Sequence, residues 1–212
     1  MAVRSRLATT VVAALSLSTL AACGDDDRRA VETAVTCTTR GPTPGEPTAP
    51  GLLLCPGTTG NLPLTDAADR HHLVPVTVVS VDLVPRSEVD RLTQQQLDSE
   101  VDPTGIDIYA VHASATLAEP ARLDPLRDLL LYSEEHDFSD PHVLSTWSPA
   151  GCVHERFAAA MPAGTTIRTC DWRWVTRGAD LTGVTLGSEI DDYAVYGGNP
   201  VSWSLRDEEG DQ

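Results

Sequence analysis

Six histidines and five cysteines are the side chains best suited to chemistry in this chain of 212 residues. The densest polar grouping is Glu134-Glu-His-Asp137, with Asp140 and His142 just beyond. Carboxylates so close together suit calcium, and imidazoles suit zinc or copper. The order lacks both the D-x-[DN]-x-[DN]-G loop that wraps calcium and an H-E-x-x-H pair on a helix, so the segment reads as a solvated acidic loop and no metal ligand is assigned. His71 and His72 lie together where a strand begins, and neighbours in a strand point to opposite faces, which prevents them from gripping one ion. His112 falls inside a strand. His154 titrates near neutrality, as a general base must, but no G-x-S-x-G elbow accompanies it and oxidised cysteines supply no nucleophile. Asp191-Asp192 and the acids from Asp207 to Asp211 read as solvated turns. A carboxylate pair could hydrolyse a glycosidic bond, yet nothing selects one pair from 31 acids. No catalytic residue and no cofactor is assigned, and the chain reads as a protein other than an enzyme.

The cysteines are more informative. Arg4 and Arg6 precede an uncharged apolar stretch from Leu7 to Leu20, and Asp25, Asp26 and Asp27 follow shortly after. That is the order of a signal peptide; a membrane-spanning helix needs about 20 mostly apolar residues, and this stretch is thinned by Thr and Ser. Its end, Leu20-Ala21-Ala22-Cys23, resembles the lipobox of bacterial lipoproteins. The resemblance implies cleavage before Cys23, a diacylglyceryl thioether on that sulfur, and a place on the extracytoplasmic face of the cell membrane. An uncleaved anchor, or an ordinary secretory signal with Cys23 in a disulfide, is the competing reading. With Cys23 lipidated, Cys37, Cys55, Cys152 and Cys170 remain, an even number suited to disulfides in an oxidising compartment. Three pairings are open. Equal separations of 18 positions favour Cys37 with Cys55 and Cys152 with Cys170, and loops of that size stabilise by roughly 3 kcal/mol each. Zinc is the alternative, though no C-x-x-C pair is present.

Removing residues 1–22 leaves 190 residues, enough for one ordinary domain and a tether. It also leaves 13 arginines against 31 acids, a formal charge of −18 with no lysine anywhere. Such a surface repels nucleic acid and anionic headgroups, which excludes DNA and RNA as partners. The membrane is contacted through lipid alone, and an envelope protein or wall polymer is the expected partner.

The elements that must position these side chains are strands. Residues 23–66 are acidic and then rich in Thr, Pro and Gly, a composition that buries too little apolar surface to offset ordering, so they read as a disordered tether. In the competing reading, Ala34–Cys37 and Leu52–Cys55 are strands of a first hairpin. Folding is expected over 67–206, with an acidic tail at 207–212. Leu73–Leu83 is dense in Val on both parities, as a largely buried strand is, with a bulge near Ser80 to switch faces. Ser87-Glu-Val-Asp90 has capping-box spacing and opens one short helix before Pro103. Ile106–Leu117 alternates as a strand, and further strands are expected at Leu129–Tyr132, Val143–Trp147, Thr166–Val175, Gly183–Leu186 and Val201–Leu205. In Thr166–Val175, Cys170, Trp172 and Trp174 share one parity; facing inward, they place the Cys152 bridge beside two large aromatics in the core, and facing out they offer a stacking surface. Short strands between turn signals define an all-β, immunoglobulin-like β-sandwich with one short helix between strands.

The run from Val76-Thr-Val-Val-Ser-Val81 through Ile108-Tyr-Ala-Val-His-Ala-Ser114, Gly151-Cys152, Pro162-Ala-Gly164, Thr169-Cys170 and Gly183-Val-Thr-Leu186 to Val201-Ser-Trp203 is similar to small actinobacterial lipoproteins. Their extracellular portion is a single immunoglobulin-like sandwich of unknown function, related to the telokin-like antigen domains. The resemblance implies fold and location and brings no catalytic signature. What the whole implies is a membrane-anchored, noncatalytic binding or interaction module at the cell envelope, with capture of a small ligand or divalent metal as the alternative and envelope hydrolysis behind both.

Overall fold

The valine-dense run His71–Leu83 forms the longest strand and organises one of two sheets. The computed structural model describes residues 37–92, 102–133 and 147–205. In chain order the elements are β1 (Leu53–Leu54), β2 (Thr59–Thr65), β3 (His71–Leu83), a one-turn helix α1 (Arg86–Val89), β4 (Ile106–Thr116), β5 (Leu129–Ser133), β6 (Thr166–Thr176), β7 (Leu181–Leu186) and β8 (Val201–Ser204). Short 3-10 turns cover Pro103–Gly105 and Asp191–Tyr193. One sheet has the order β1-β8-β7-β5 and the other β2-β3-β4-β6. β1 joins β8 in parallel, and the remaining pairs are antiparallel. The chain changes sheet after β1, β4, β5 and β6. This is an immunoglobulin-like β-sandwich with one short helix between strands.

Side-chain alternation decides what each sheet buries. Val74, Val76 and Val78 of β3, Val111, Ala113 and Ala115 of β4 and Leu62 of β2 face Leu54, Val184 and Trp203 of the other sheet, and Phe157 from the segment before β6 joins them in the main core. The ladder between β3 and β4 shifts between Val78 and Ser80, a bulge at the expected place. An extra residue there leaves one side chain unpaired: Val79 is 61% exposed, while Val81 packs on the core again. The opposite parity of β4 is also apolar in its first half. Ile106, Ile108 and Ala110 point away from the other sheet and meet Val84, Val89, Leu92, Cys152, Cys170 and Trp172 in a second, smaller core.

β6 corrects an expectation. Ile167 and Val175 face the main core, while Cys170 and Trp172 lie in the small one. The aromatic parity therefore points outward from the sandwich, yet it is no open stacking surface, because Trp147 covers Trp172 edge-on with ring centroids 5.1 Å apart. Both faces of this strand carry apolar residues among polar ones, so a period of two does not say which one meets the second sheet. Trp147 itself stands outside any strand, and the rest of the strand expected at Val143–Trp147 lies outside the described residues. The helix is also placed differently: it begins at Arg86 after Pro85, without a side-chain cap from Ser87. Arg86 fixes it instead, donating to the Ile106 and Pro103 carbonyls at 2.9 and 2.7 Å.

The larger correction concerns the tether assigned to residues 23–66. From Cys37 onward this segment belongs to the fold. Cys37 is bonded to Cys55, and Leu54 of β1 is completely buried. Polar partners replace the apolar mass that the segment lacks. Asn61 donates to the Glu46 carbonyl at 2.8 Å, the Asn61 amide donates to the Thr48 hydroxyl at 2.7 Å, and the Tyr193 hydroxyl donates to the Thr48 carbonyl at 2.8 Å. Trp203, also completely buried, donates its indole N–H to the Thr58 carbonyl at 2.8 Å. A composition argument sees none of these partners, two of which are 145 positions away.

Gly60 packs closely under Leu54 and the Trp203 ring. A Cβ there would lie 3.0 Å from Leu54 Cδ1 and 3.1 Å from Trp203 Cζ2, so both side chains would have to shift. Gly60→Ala should destabilise the fold by about 1–3 kcal/mol, the usual cost of overpacking, measured as a lower urea midpoint with unchanged slope. An unchanged midpoint contradicts this packing.

Candidate functional site

The small core covers the end of the outer face of the β2-β3-β4-β6 sheet that carries Ile106, Ile108 and Trp172. Beyond Cys170 the face opens, and strand register sets what it displays. Thr59, Thr77, Ser114 and Arg168 form one row across the four strands, and Ser80, His112 and Cys170 form the next. The Thr59 and Thr77 hydroxyls are 2.7 Å apart, and Thr116 and Thr166, one row further, are 2.9 Å apart. A groove of about 680 Å³ runs over this surface, with Val79 and Val153 on its walls and Ser80, Asp82, His112 and Arg168 among its polar lining. Val153 is 62% exposed. It is held in place by the neighbouring Cys152–Cys170 disulfide and by its carbonyl, which accepts from the Cys170 amide at 2.9 Å.

Ser80, Asp82 and His112 are the residue types of a hydrolytic triad, but their order is wrong for one. The Ser80 hydroxyl donates to Asp82 Oδ2 at 2.9 Å, and His112 Nε2 lies 3.6 Å from that same oxygen and 3.8 Å from Cys170 Sγ. In a working triad the imidazole stands between hydroxyl and carboxylate and takes the hydroxyl proton. Here the carboxylate stands between them. The arrangement offers donors, a carboxylate and a guanidinium to a bound molecule, and it does not activate a nucleophile.

His154 lies elsewhere, at the edge where β6 approaches β5. Its Nε2 is 3.0 Å from Asp124 Oδ2 and its Nδ1 is 3.9 Å from Asp171 Oδ1. Arg156 pairs with the same Asp124 oxygen at 2.9 Å. Arg173 pairs with Asp171 at 2.7 Å and donates to the Leu129 carbonyl at 3.0 Å, which ties the two sheets together. With a carboxylate beside each ring nitrogen, His154 is part of a structural ion network rather than a free base. The hydrogen bond with Asp124 raises the His154 pKa against the opposing effect of burial, and the Asp124 and Asp171 charges add to the rise. Burial works to raise Asp124, but His154, the Leu126 amide and Arg156 together hold its carboxyl below the ordinary value.

His71 and His72 diverge: His71 Nδ1 is 3.3 Å from the Thr65 hydroxyl, and His72 Nε2 is 3.1 Å from Asp66 Oδ2. Asp66 closes the β2–β3 connection, where its hydrogen bonds with Arg70, Ala68 and His72 hold the carboxyl well below the usual range despite burial. Asp191 and Asp192 sit in a 3-10 turn, as solvated turn residues do. Cys152 is bonded to Cys170. Cys23, the 134–142 segment and the tail at 207–212 lie outside the described residues. Among the described residues no three His, Cys, Asp or Glu side chains come together as a metal site. Sequence reading missed Val79, Val153, Ser114 and Arg168 as one surface. The bulge near Ser80 was the available signal for Val79, whereas joining it to Arg168 needs the register of three strands.

No protein-family model and no curated protein matches the sequence. Among solved structures, the chain is similar to the secreted protein MPT63 from Mycobacterium tuberculosis, with 14% identity and a TM-score of 0.43 over 74% of this chain and 99% of that one. It is also similar to an uncharacterized β-sandwich protein from Clostridium difficile 630, with 9% identity and a TM-score of 0.36 over 78% of this chain and 99% of that one.

The His154–Asp124 pair has a defined pH signature. A raised His pKa gives stability that is complete below its ordinary value of 6.5 and lost as pH rises through the folded value. A lowered Asp pKa gives stability that is complete above its ordinary value of 3.8 and lost as pH falls through the folded one. The pair therefore contributes most between those two values. His154→Gln should flatten the fall in melting temperature above pH 6.5, read by calorimetry against the native chain. A parallel fall in both proteins contradicts the assignment.

Proposed function

We propose that this chain is an extracytoplasmic lipoprotein, held at a membrane by lipid on Cys23, whose sandwich serves as a noncatalytic binding module of the cell envelope. The observation that carries the reading is the open part of the β2-β3-β4-β6 sheet, where a groove is walled by two exposed valines and lined by polar groups already engaged with one another. Exposed apolar side chains beside fixed polar groups are what a recognition surface requires. The order of Ser80, Asp82 and His112, and the two carboxylates around His154, argue for binding over turnover.

Location rests on separate grounds. Two disulfides persist in an oxidising compartment and are rare in a reducing one. Among the described residues no helix is long and apolar enough to cross a membrane, and the lipobox at Leu20–Cys23 supplies a different means of attachment. Two or more acyl chains hold a protein firmly where a single one does not. The partner is a protein or wall polymer of the envelope; the charge of −18 on the chain after Ala22 disfavours nucleic acid.

Two readouts on cells making the protein test this function. Mass spectrometry of the mature chain should find Cys23 as the first residue and carrying diacylglycerol; a free thiol there, or retained residues 1–22, defeats the anchor. A photocrosslinker at Val79 should give a discrete adduct that the same group at Tyr196, exposed at 72%, does not give. Equal labelling from both positions defeats the module.

A further inference from the structure

We infer that the groove on the outer face takes a small amphipathic anion: one carboxylate or phosphate group on a short apolar body, with the oxyanion at Arg168 and the body between Val79 and Val153. This rests on the reading of the groove as a binding surface and commits to a small ligand there, the alternative to an envelope protein or wall polymer.

Arg70, Arg86, Arg127, Arg156 and Arg173 each pair with a carboxylate. Arg91 and Arg177 donate to backbone carbonyls, and among the described residues the guanidinium groups of Arg40, Arg122 and Arg168 have no partner; of these three only Arg168 lines the groove. Register explains why Arg168 is unpaired. Its cross-strand neighbour is Ser114, followed by Thr77 and Thr59, so the row offers hydroxyls and no carboxylate. A guanidinium fork left open in this way matches the two oxygens of a carboxylate or phosphate, and the Ser114 hydroxyl beside it is a further donor.

The apolar part follows from the walls. The bulge turns Val79 out of the ladder, and the disulfide-held segment presents Val153 to the same groove. Neither side chain is buried against the protein, and the space between suits a small ligand: about 680 Å³ lies within the usual range for such sites. Asp82 sets the polarity. It stands toward the opposite end of the groove from the Arg168 row, engaged with Ser80 and 3.6 Å from His112. A second anionic group at that end meets a carboxylate, so the ligand carries its charge at one end only.

The test uses the full mature chain with Cys23→Ser, titrated by amide NMR with hexanoate, with hexyl phosphate, and with hexanol as the uncharged control. Either anion should shift the Val79, Ser114, Val153 and Arg168 signals saturably, with hexanol weaker by about tenfold, the worth of one charge-assisted contact. The stronger anion identifies carboxylate or phosphate as the recognised group. Arg168→Gln should weaken the anions by about the same factor and leave hexanol and the melting temperature unchanged, because the side chain is exposed. Val79→Ser should weaken all three probes. Absence of saturable shifts from both anions, or equal binding of hexanol, overturns the inference, as does unchanged anion binding by Arg168→Gln. If the anions fail while the Val79 crosslink still forms, the ligand class falls and the module reading stands; if both fail, both fall.

Discussion

The disulfide between Cys152 and Cys170 is the constraint on which the usable surface of this protein depends. A sheet with apolar residues on both faces has to cover both, and the β2-β3-β4-β6 sheet covers its outer face only as far as this bond. On one side Ile106, Ile108 and Trp172 lie under the helix and the Trp147 ring. On the other, hydroxyls, His112 and Arg168 stand open. The bond pins the segment carrying Val153 at the boundary, so the same covalent link that completes the small core builds one wall of the groove.

A second junction holds the two ends of the described fold together. Trp203 lies over Gly60 and bonds the Thr58 carbonyl, while Tyr193 reaches the Thr48 carbonyl. Through these contacts a segment poor in apolar residues gains a fixed place, with the Cys37–Cys55 bond closing it covalently. The parallel pairing of β1 with β8 is part of the same junction.

The strands were largely legible in the sequence because their signals are local. The valine run, the alternation in β4 and the bulge near Ser80 are all written within a dozen residues, and the equal cysteine spacing pointed to the two bonds that form. What was illegible is long-range. Nothing near Thr48 or Asn61 announces a partner in Tyr193 or a neighbouring loop, so composition alone made a tether of a segment that folds. The outward direction of Cys170 and Trp172 was hidden for a different reason: β6 mixes apolar and polar residues on both parities, and period two identifies faces without naming them. The groove belongs to neither type of signal. It exists only once the register sets Ser114 beside Arg168 and His112 beside Cys170.

The groove therefore requires that the Cys152 segment is held on the sheet by its disulfide while the sandwich stands on its main core. Hydrogen exchange of the Cys152→Ala/Cys170→Ala double variant measures this most directly. Fast exchange is expected at the Cys152 and Glu155 amides, which bond the Pro149 carbonyl and the Thr169 hydroxyl, with the Phe157 amide, anchored by the main core, and β2, β3, β7 and β8 still protected. Native-like protection at Cys152 and Glu155 would contradict it, as would loss of protection throughout the sandwich.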